Sequence, residues 1–317
     1  MKTLSRINIL SVLAIALMVS FAACSSVNNE VETISDEDLE AAAQIVATTL
    51  SDEESGMMSS MYDALSDVDD SGITYGESNS TKFKYGETTT SGPSYRDPNH
   101  PGGRNGRGVE RNFVHEYDST TGIHSISFTR TVDNERISKS ISVAQEIIYT
   151  DLDGSFVAEP RLNRADVNSI SHSGTVTGTS ESRYRSSNFT NQNDYELTGL
   201  HESVSELTMN GTHKGAGSME ATTRDSIEIS RSYEVNMTFE NVVINKDTVL
   251  ANGSLENATS GTLTYTMVMS KTIDGVPEET ELEGTIDLEA DGTAILKFKA
   301  FTKVISIYLE TGEVLED

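Results

Sequence analysis

The sequence predicts a mainly β protein: an antiparallel meander that forms a large curved sheet, a barrel or a sandwich, preceded by two short helices. One long stretch, Ile227 to Phe239, has apolar residues at every second position except Arg231. Further alternating stretches follow one another with short turns, and no long helical pattern separates them. At about 3.4 Å per residue the long stretch would extend roughly 44 Å, so we expect a bend or a barrel mouth at Arg231.

The N-terminus has the features of a secretory signal. Lys2 and Arg6 precede an apolar run over residues 7–21, which is too short for a comfortable membrane span. Phe21-Ala22-Ala23-Cys24 resembles the lipobox of bacterial lipoproteins, although that pattern prefers leucine where Phe21 stands. The resemblance implies that residues 1–23 are removed and that Cys24 is lipidated, with residues 24–34 as a tether. It also implies a membrane partner and a place in the cell envelope of a bacterium, at the outer membrane. The alternative is an ordinary signal peptide with an incidental cysteine.

A helical segment is predicted over residues 35–68. Ser35 and Asp38 have the spacing of a capping box, and apolar residues follow at helical intervals to Leu50. A second apolar stripe, over residues 52–68, contains Met57, Met58 and Met61. A methionine-rich stripe can be an adaptable binding face, but we interpret it as a face packed on the neighbouring domain.

Residues 69–110 are rich in Gly, Ser, Thr, Asn and Pro, which is typical of a flexible linker. At its start, Asp67, Asp69 and Ser71 precede Gly72, as in the first half of a calcium loop. The twelfth position of the loop holds Ser78 instead of the usual glutamate. The same residues are therefore also explained, without calcium, as the end of a helix that leads into an acidic linker. Calcium at these three residues is the one cofactor hypothesis from the sequence.

From residue 111 to 317 the alternation predicts an antiparallel β-domain. Asn210-Gly211 and Asn245-Lys-Asp247 are predicted turns, the second followed by a strand at Val249-Leu250. Asp291-Gly292 predicts the clearest hairpin, with a type I′ turn. Residues 151–203 show little regular alternation, and the one strand expected there is Thr175-Val-Thr-Gly178.

The composition excludes several classes of function. The chain has 50 acidic and 23 basic residues, a formal charge of −27, and removal of residues 1–23 would leave 21 basic residues and −29. Such a charge repels nucleic acid, so we expect no nucleic-acid partner. The sequence has no zinc-protease, nucleophile-elbow, serine-lysine, phosphate-loop or dinucleotide motif. The only cysteine is Cys24, so neither an intrachain disulfide nor a thiol nucleophile is expected in the β-domain.

These observations favour a non-enzymatic envelope lipoprotein without catalytic residues. Its β-domain would act as a structural module or bind an envelope protein or a hydrophobic ligand. Two alternatives remain: a hydrolase that uses carboxylates, for which a cleft gathering two carboxylates and a histidine would be the sign, and a surface adhesin. Oligomeric state does not follow from the sequence.

Overall fold

The computed structural model describes residues 34–51, 56–66, 109–133, 137–222, 228–252, 254–273 and 275–315. Three α-helices and twelve β-strands occur in these ranges. In chain order they are α1 (Asp36–Leu50), α2 (Met57–Ser66), β1 (Val109–Asp118), β2 (Ile123–Asp133), β3 (Ile137–Thr150), β4 (Ser169–Ser182), β5 (Arg185–Thr198), β6 (Glu206–Thr222), β7 (Glu228–Asn245), α3 (Lys246–Asn252), β8 (Thr259–Ile273), β9 (Val276–Leu288), β10 (Thr293–Phe298), β11 (Val304–Tyr308) and β12 (Val314–Leu315).

All twelve strands form a single antiparallel sheet in which each strand pairs with the next strand along the chain. β1 and β12 are the two ends of this order, and the described strands do not pair across the ends, so the sheet is not closed. The predicted fold class, a mainly β meander preceded by two short helices, is therefore confirmed.

The chain divides into residues 1–38 and 39–317. In the first unit, Ser35 caps the start of α1: its Oγ accepts a hydrogen bond from the Asp38 amide at 3.1 Å and donates one to the Asp38 carboxylate at 2.6 Å. These bonds make the Ser35 half of the predicted capping box.

The remainder of α1 and the whole of α2 belong to the second unit and cover one face of the sheet, which we call the inner face. Tyr149 in β3 donates a hydrogen bond to the Ala64 carbonyl, and Tyr195 in β5 donates one to the Ser60 carbonyl. The inner face is made by every second residue of each strand, and most of these residues are apolar and buried. They include Val143, Ile147, Ile170, Val176, Leu197, Leu207, Met209, Val235, Met237, Phe239, Leu263, Met267, Ile286, Leu296 and Ile307.

The helices fill this face because their buried sides are apolar at helical spacing. Leu39, Ala42, Ala43 and Val46 are buried in α1. In α2 the three methionines of the predicted stripe, Met57, Met58 and Met61, have no exposed surface. The methionine stripe is therefore a packing face.

The sheet curls around α1. Thr49 in α1 faces Gly215 in β6, while the neighbouring Ala47 and Ser51 contact Gly312, in the turn directly after β11. In a flat sheet β6 and β11 would be separated by five strand spacings, about 24 Å. A helix is only about 10 Å wide, so the sheet has to bend to contact both sides of α1.

Gly215 allows α1 to lie close to the sheet. A Cβ atom at this position would be 3.0 Å from Thr49 Cγ2 and 3.0 Å from Val235 Cγ1. Any larger side chain would press directly on the helix, which explains a glycine in the middle of a long strand.

The strand that includes the long alternating stretch has no register shift at Arg231. The pairing of β7 with β8 runs without interruption through Arg231, which lies opposite Lys271. The register shifts later, between Phe239 and Val243, where Asn241 has a φ of 55°. Val235, Met237 and Phe239 are buried together on the inner face, as the alternation predicts.

Three local predictions were wrong. Asn210-Gly211 lies inside β6, at the register shift between Met209 and Gly211, and makes no turn. Val249-Leu250 lies in α3, because Asn245 Oδ1 accepts the Thr248 amide and caps a helix there. The hairpin at Asp291-Gly292 exists, but its loop covers residues 289–292 and, of Asp291 and Gly292, only Gly292 has a positive φ, so it is not a type I′ turn.

Candidate functional site

A groove of about 410 Å³ lies between the loops that follow β3 and β5, and it gathers carboxylates and a histidine. Asp151, Asp153 and Asp166 line it from the first loop, and His201 lines it from the second. Loops are the usual place for functional side chains that a rigid sheet positions. The groove is therefore the described feature that comes closest to the cleft expected of a carboxylate hydrolase.

The side chains of Asp151 and His201 also form hydrogen bonds within their own loops. Asp151 Oδ1 accepts the amides of Asp153 and Ser155, at 2.9 and 2.8 Å, and closes a turn over Asp151-Leu-Asp-Gly154. His201 Nδ1 lies 2.7 Å from Ser203 Oγ. An aspartate that accepts amides of the residues after it, with a glycine at the fourth position, is typical of such a turn.

Lys246 holds the loop that follows β5, which contains His201. Its Nζ donates to the carbonyls of Leu200 and His201 at 3.0 and 2.8 Å, and the residue is almost completely buried. Burial lowers the pKa of Lys246 to about 8. This ammonium acts on the groove only by positioning the backbone beside His201.

A second polar cluster is closed inside the protein, between α2 and the inner face. Asn193 in β5 donates to Ser60 Oγ at 2.7 Å, and its Oδ1 lies 2.6 Å from His213 Nδ1 in β6. The next inward residue of β5, Tyr195, stacks on His172 with ring centroids 4.6 Å apart. His172 Nε2 lies 3.2 Å from Gln145 Oε1.

Both histidines of this cluster are held neutral. His172 and His213 are 1% and 0% exposed, and burial lowers the pKa of each to about 4. His172 Nδ1 and His213 Nε2 have no hydrogen-bond partner among the described residues. Since the cluster is sealed from water, we interpret it as an attachment of α2 to the sheet, and not as a reaction centre.

Tyr62 and Glu256 form another attachment of α2. The Tyr62 hydroxyl donates to Glu256 Oε2 at 2.6 Å and accepts the Leu255 amide at 2.8 Å. Ser254 Oγ donates to the same carboxylate oxygen at 2.5 Å. Tyr62 and Glu256 are both buried, so water cannot replace a lost partner.

Replacing Tyr62 by phenylalanine is expected to lower the free energy of unfolding by about 2 kcal/mol, because it leaves a buried carboxylate and a buried amide short of partners. Urea unfolding followed by circular dichroism measures the loss. The matched control is Tyr149→Phe, which removes one hydroxyl bond to a carbonyl of α2 and should cost about 1 kcal/mol. Equal losses in the two variants would contradict the special role of Tyr62.

The structure does not describe the site residues that were predicted from the sequence. Cys24, Asp67, Asp69 and Ser71 are all outside the described residues, so lipidation and calcium binding stay predictions. Within the described ranges no three His, Cys, Asp or Glu side chains are grouped to hold a metal ion. In the same ranges, no helix combines the length and apolar character needed to cross a bilayer.

The outer face of the sheet is polar and rich in hydroxyl groups. A groove of about 430 Å³ crosses it over β7 to β10, with Thr238, Thr264, Glu283 and Lys299 in its lining. The outward positions of β4 are almost all hydroxyl residues: Ser169, Ser171, Ser173, Thr175, Thr177 and Thr179.

No protein-family model matches the chain, and no curated protein or solved structure matches it with significance.

Proposed function

We propose that the chain is a membrane-anchored lipoprotein of a bacterial cell envelope, without catalytic activity, whose β-domain is a structural or binding module. The lipobox-type segment at Cys24 supports the anchor. The proposed site is the outer membrane, and the proposed partner is an envelope component that meets the outer face of the sheet.

The observation that carries the proposal is the filling of the inner face by α1 and α2. A carrier of hydrophobic ligands needs an apolar cavity that can enclose most of the ligand. Here, Val46, Leu50, Met58 and Met61 occupy the apolar side of the sheet with essentially no exposed surface. The interior therefore favours a rigid module over a ligand carrier.

The partner would have to suit a surface of hydroxyl groups and carboxylates. Outward positions alternate with the buried ones along each strand, so the outer face is a regular polar surface. With a formal charge of −27 the chain as a whole attracts cationic or neutral polar partners more than anionic ones.

Lipid extraction of purified protein tests the proposal. A Cys24→Ser variant, isolated without detergent, should release much less than one lipid per chain on organic extraction and mass spectrometry. Metabolic labelling with palmitate should label the wild-type chain and not this variant. About one lipid per Cys24→Ser chain would contradict the packed-module proposal and favour the hydrophobic-ligand function.

The groove beside His201 supports a second candidate, a hydrolase. Its three aspartates and one histidine are the residue types that general acid–base chemistry uses. Hydrolysis of generic ester or glycoside substrates by the wild-type protein, lost in both His201→Gln and Asp166→Asn, would establish this candidate. Equal background rates in all three proteins would reject it.

A further inference from the structure

Two histidines on the first hairpin face one another. His115 in β1 and His124 in β2 are diagonal neighbours in the register, because His115 pairs with Ile126 and Tyr117 pairs with His124. His115 Nε2 lies 3.2 Å from His124 Nδ1. The Tyr117 ring lies against His124, with centroids 4.6 Å apart, and helps to fix its orientation.

The other nitrogen of His124 has a backbone partner. His124 Nε2 is 3.4 Å from the Val157 carbonyl oxygen, which can only accept a hydrogen bond. When Nε2 carries the proton, Nδ1 presents its lone pair towards His115. A metal-binding histidine has the same arrangement, with one nitrogen on the metal and the other donating to a carbonyl.

The two histidines differ in their exposure to solvent. His124 is 2% exposed, and the Val157 carbonyl and the Tyr117 ring hold its orientation. His115, by contrast, is exposed, so an ion can reach the pair from solvent.

We infer that His115 and His124 form a binding site for a divalent transition-metal ion, Cu²⁺ or Zn²⁺. Two nitrogens that each lie about 2.05 Å from a tetrahedral Zn²⁺ are about 3.3 Å apart, close to the observed separation. The two ring centroids are 5.4 Å apart, so the rings lie nearly end to end and their facing nitrogens point at each other. For both lone pairs to point at one ion, the exposed His115 ring has to tilt out of this arrangement. Imidazole ligands suit both metals, and Cu²⁺ binds the more tightly.

The two histidines occupy two coordination positions of the ion, so its other positions are open to water. No third His, Cys, Asp or Glu of the described residues joins the pair in a metal-binding group. Water completes the coordination, and the ion displaces the proton that the two facing nitrogens otherwise share.

Copper titration of the full chain tests this site. The experiment uses Cu²⁺ at pH 7.5 with millimolar Mg²⁺, because the acidic surface would otherwise bind divalent ions without specificity. Electron paramagnetic resonance should show nitrogen coordination by one Cu²⁺ per chain, and calorimetry should show tighter binding of Cu²⁺ than of Zn²⁺. His115→Gln should weaken the binding at least about tenfold and abolish the two-nitrogen signature.

His100→Gln, which removes a histidine that is not part of this pair, is the matched control and should bind copper like the wild-type protein. Since His115 is exposed, its replacement is expected to keep the fold, which circular dichroism checks directly. Unchanged copper affinity in His115→Gln, or a spectrum with oxygen ligands only, would overturn the inference and leave an ordinary hydrogen bond between two imidazoles.

Discussion

Replacing Val46 by aspartate is expected to lower the free energy of unfolding by about 4 kcal/mol or more, enough to unfold most of the population of a marginally stable domain. Val46 is completely buried in α1, where the helix lies against the sheet. An aspartate there would place a carboxylate in the buried space between α1 and the sheet, away from water. Urea unfolding, followed by circular dichroism, measures the loss.

Gln44→Asp is the control for Val46→Asp. It introduces the same charge into the same helix, but on the exposed side, where Gln44 donates hydrogen bonds to the Gly312 carbonyl and to Thr48 Oγ1. Its cost should be about 1 kcal/mol. Similar losses in the two variants would mean that α1 does not pack on the inner face.

Acid is expected to destabilise the protein through His172 and His213. The folded state holds the pKa of each at about 4, below the ordinary value of 6.5, so the unfolded chain takes up protons first as the pH falls. The stability that neutral histidines contribute is complete above pH 6.5 and is lost as the pH falls to about 4. The loss amounts to about 3 kcal/mol for each histidine.

The slope of stability against pH, measured by urea unfolding between pH 7 and pH 4, identifies these two groups. The double variant His172→Gln/His213→Gln should show a much shallower fall than the wild-type protein. Met237→Ala changes the residue that pairs with His213 in β7, and should lower stability by a similar amount at every pH. If the double variant keeps the wild-type slope, other groups cause the acid sensitivity.

The fold class could be predicted because β7 and its neighbours place apolar residues inward and polar residues outward. Within residues 151–203 the only strand predicted was Thr175-Val-Thr-Gly178, which lies inside β4, although β4 and β5 are both 14 residues long. Their inward positions include His172, Asn191 and Asn193, which are polar and buried. Only the three-dimensional partners of such residues explain their burial, and a hydropathy pattern does not contain them.

The candidate sites were harder to predict for the same reason. His201 and Asp166 are 35 residues apart and meet in one groove only because β4 and β5 bring their loops to the same end of the sheet. His115 and His124 face each other through the register of one hairpin, and the turn from Asp118 to Gly122 was the available signal. Cys24 could be proposed from the sequence because a lipobox is local.

A designed disulfide between α1 and β6 tests most directly whether the helices fill the inner face. A Cβ atom at residue 215 would be 3.0 Å from Thr49 Cγ2, which is about the distance from Cβ to the far sulfur in a disulfide. In a Cys24→Ser background, Thr49→Cys/Gly215→Cys should oxidise almost completely with oxidised glutathione, as seen by thiol titration and peptide mass. Gln44→Cys/Gly215→Cys should keep both thiols, because residue 44 lies on the exposed side of α1. A folded Thr49→Cys/Gly215→Cys protein that retains two free thiols would contradict the packing of α1 against the sheet.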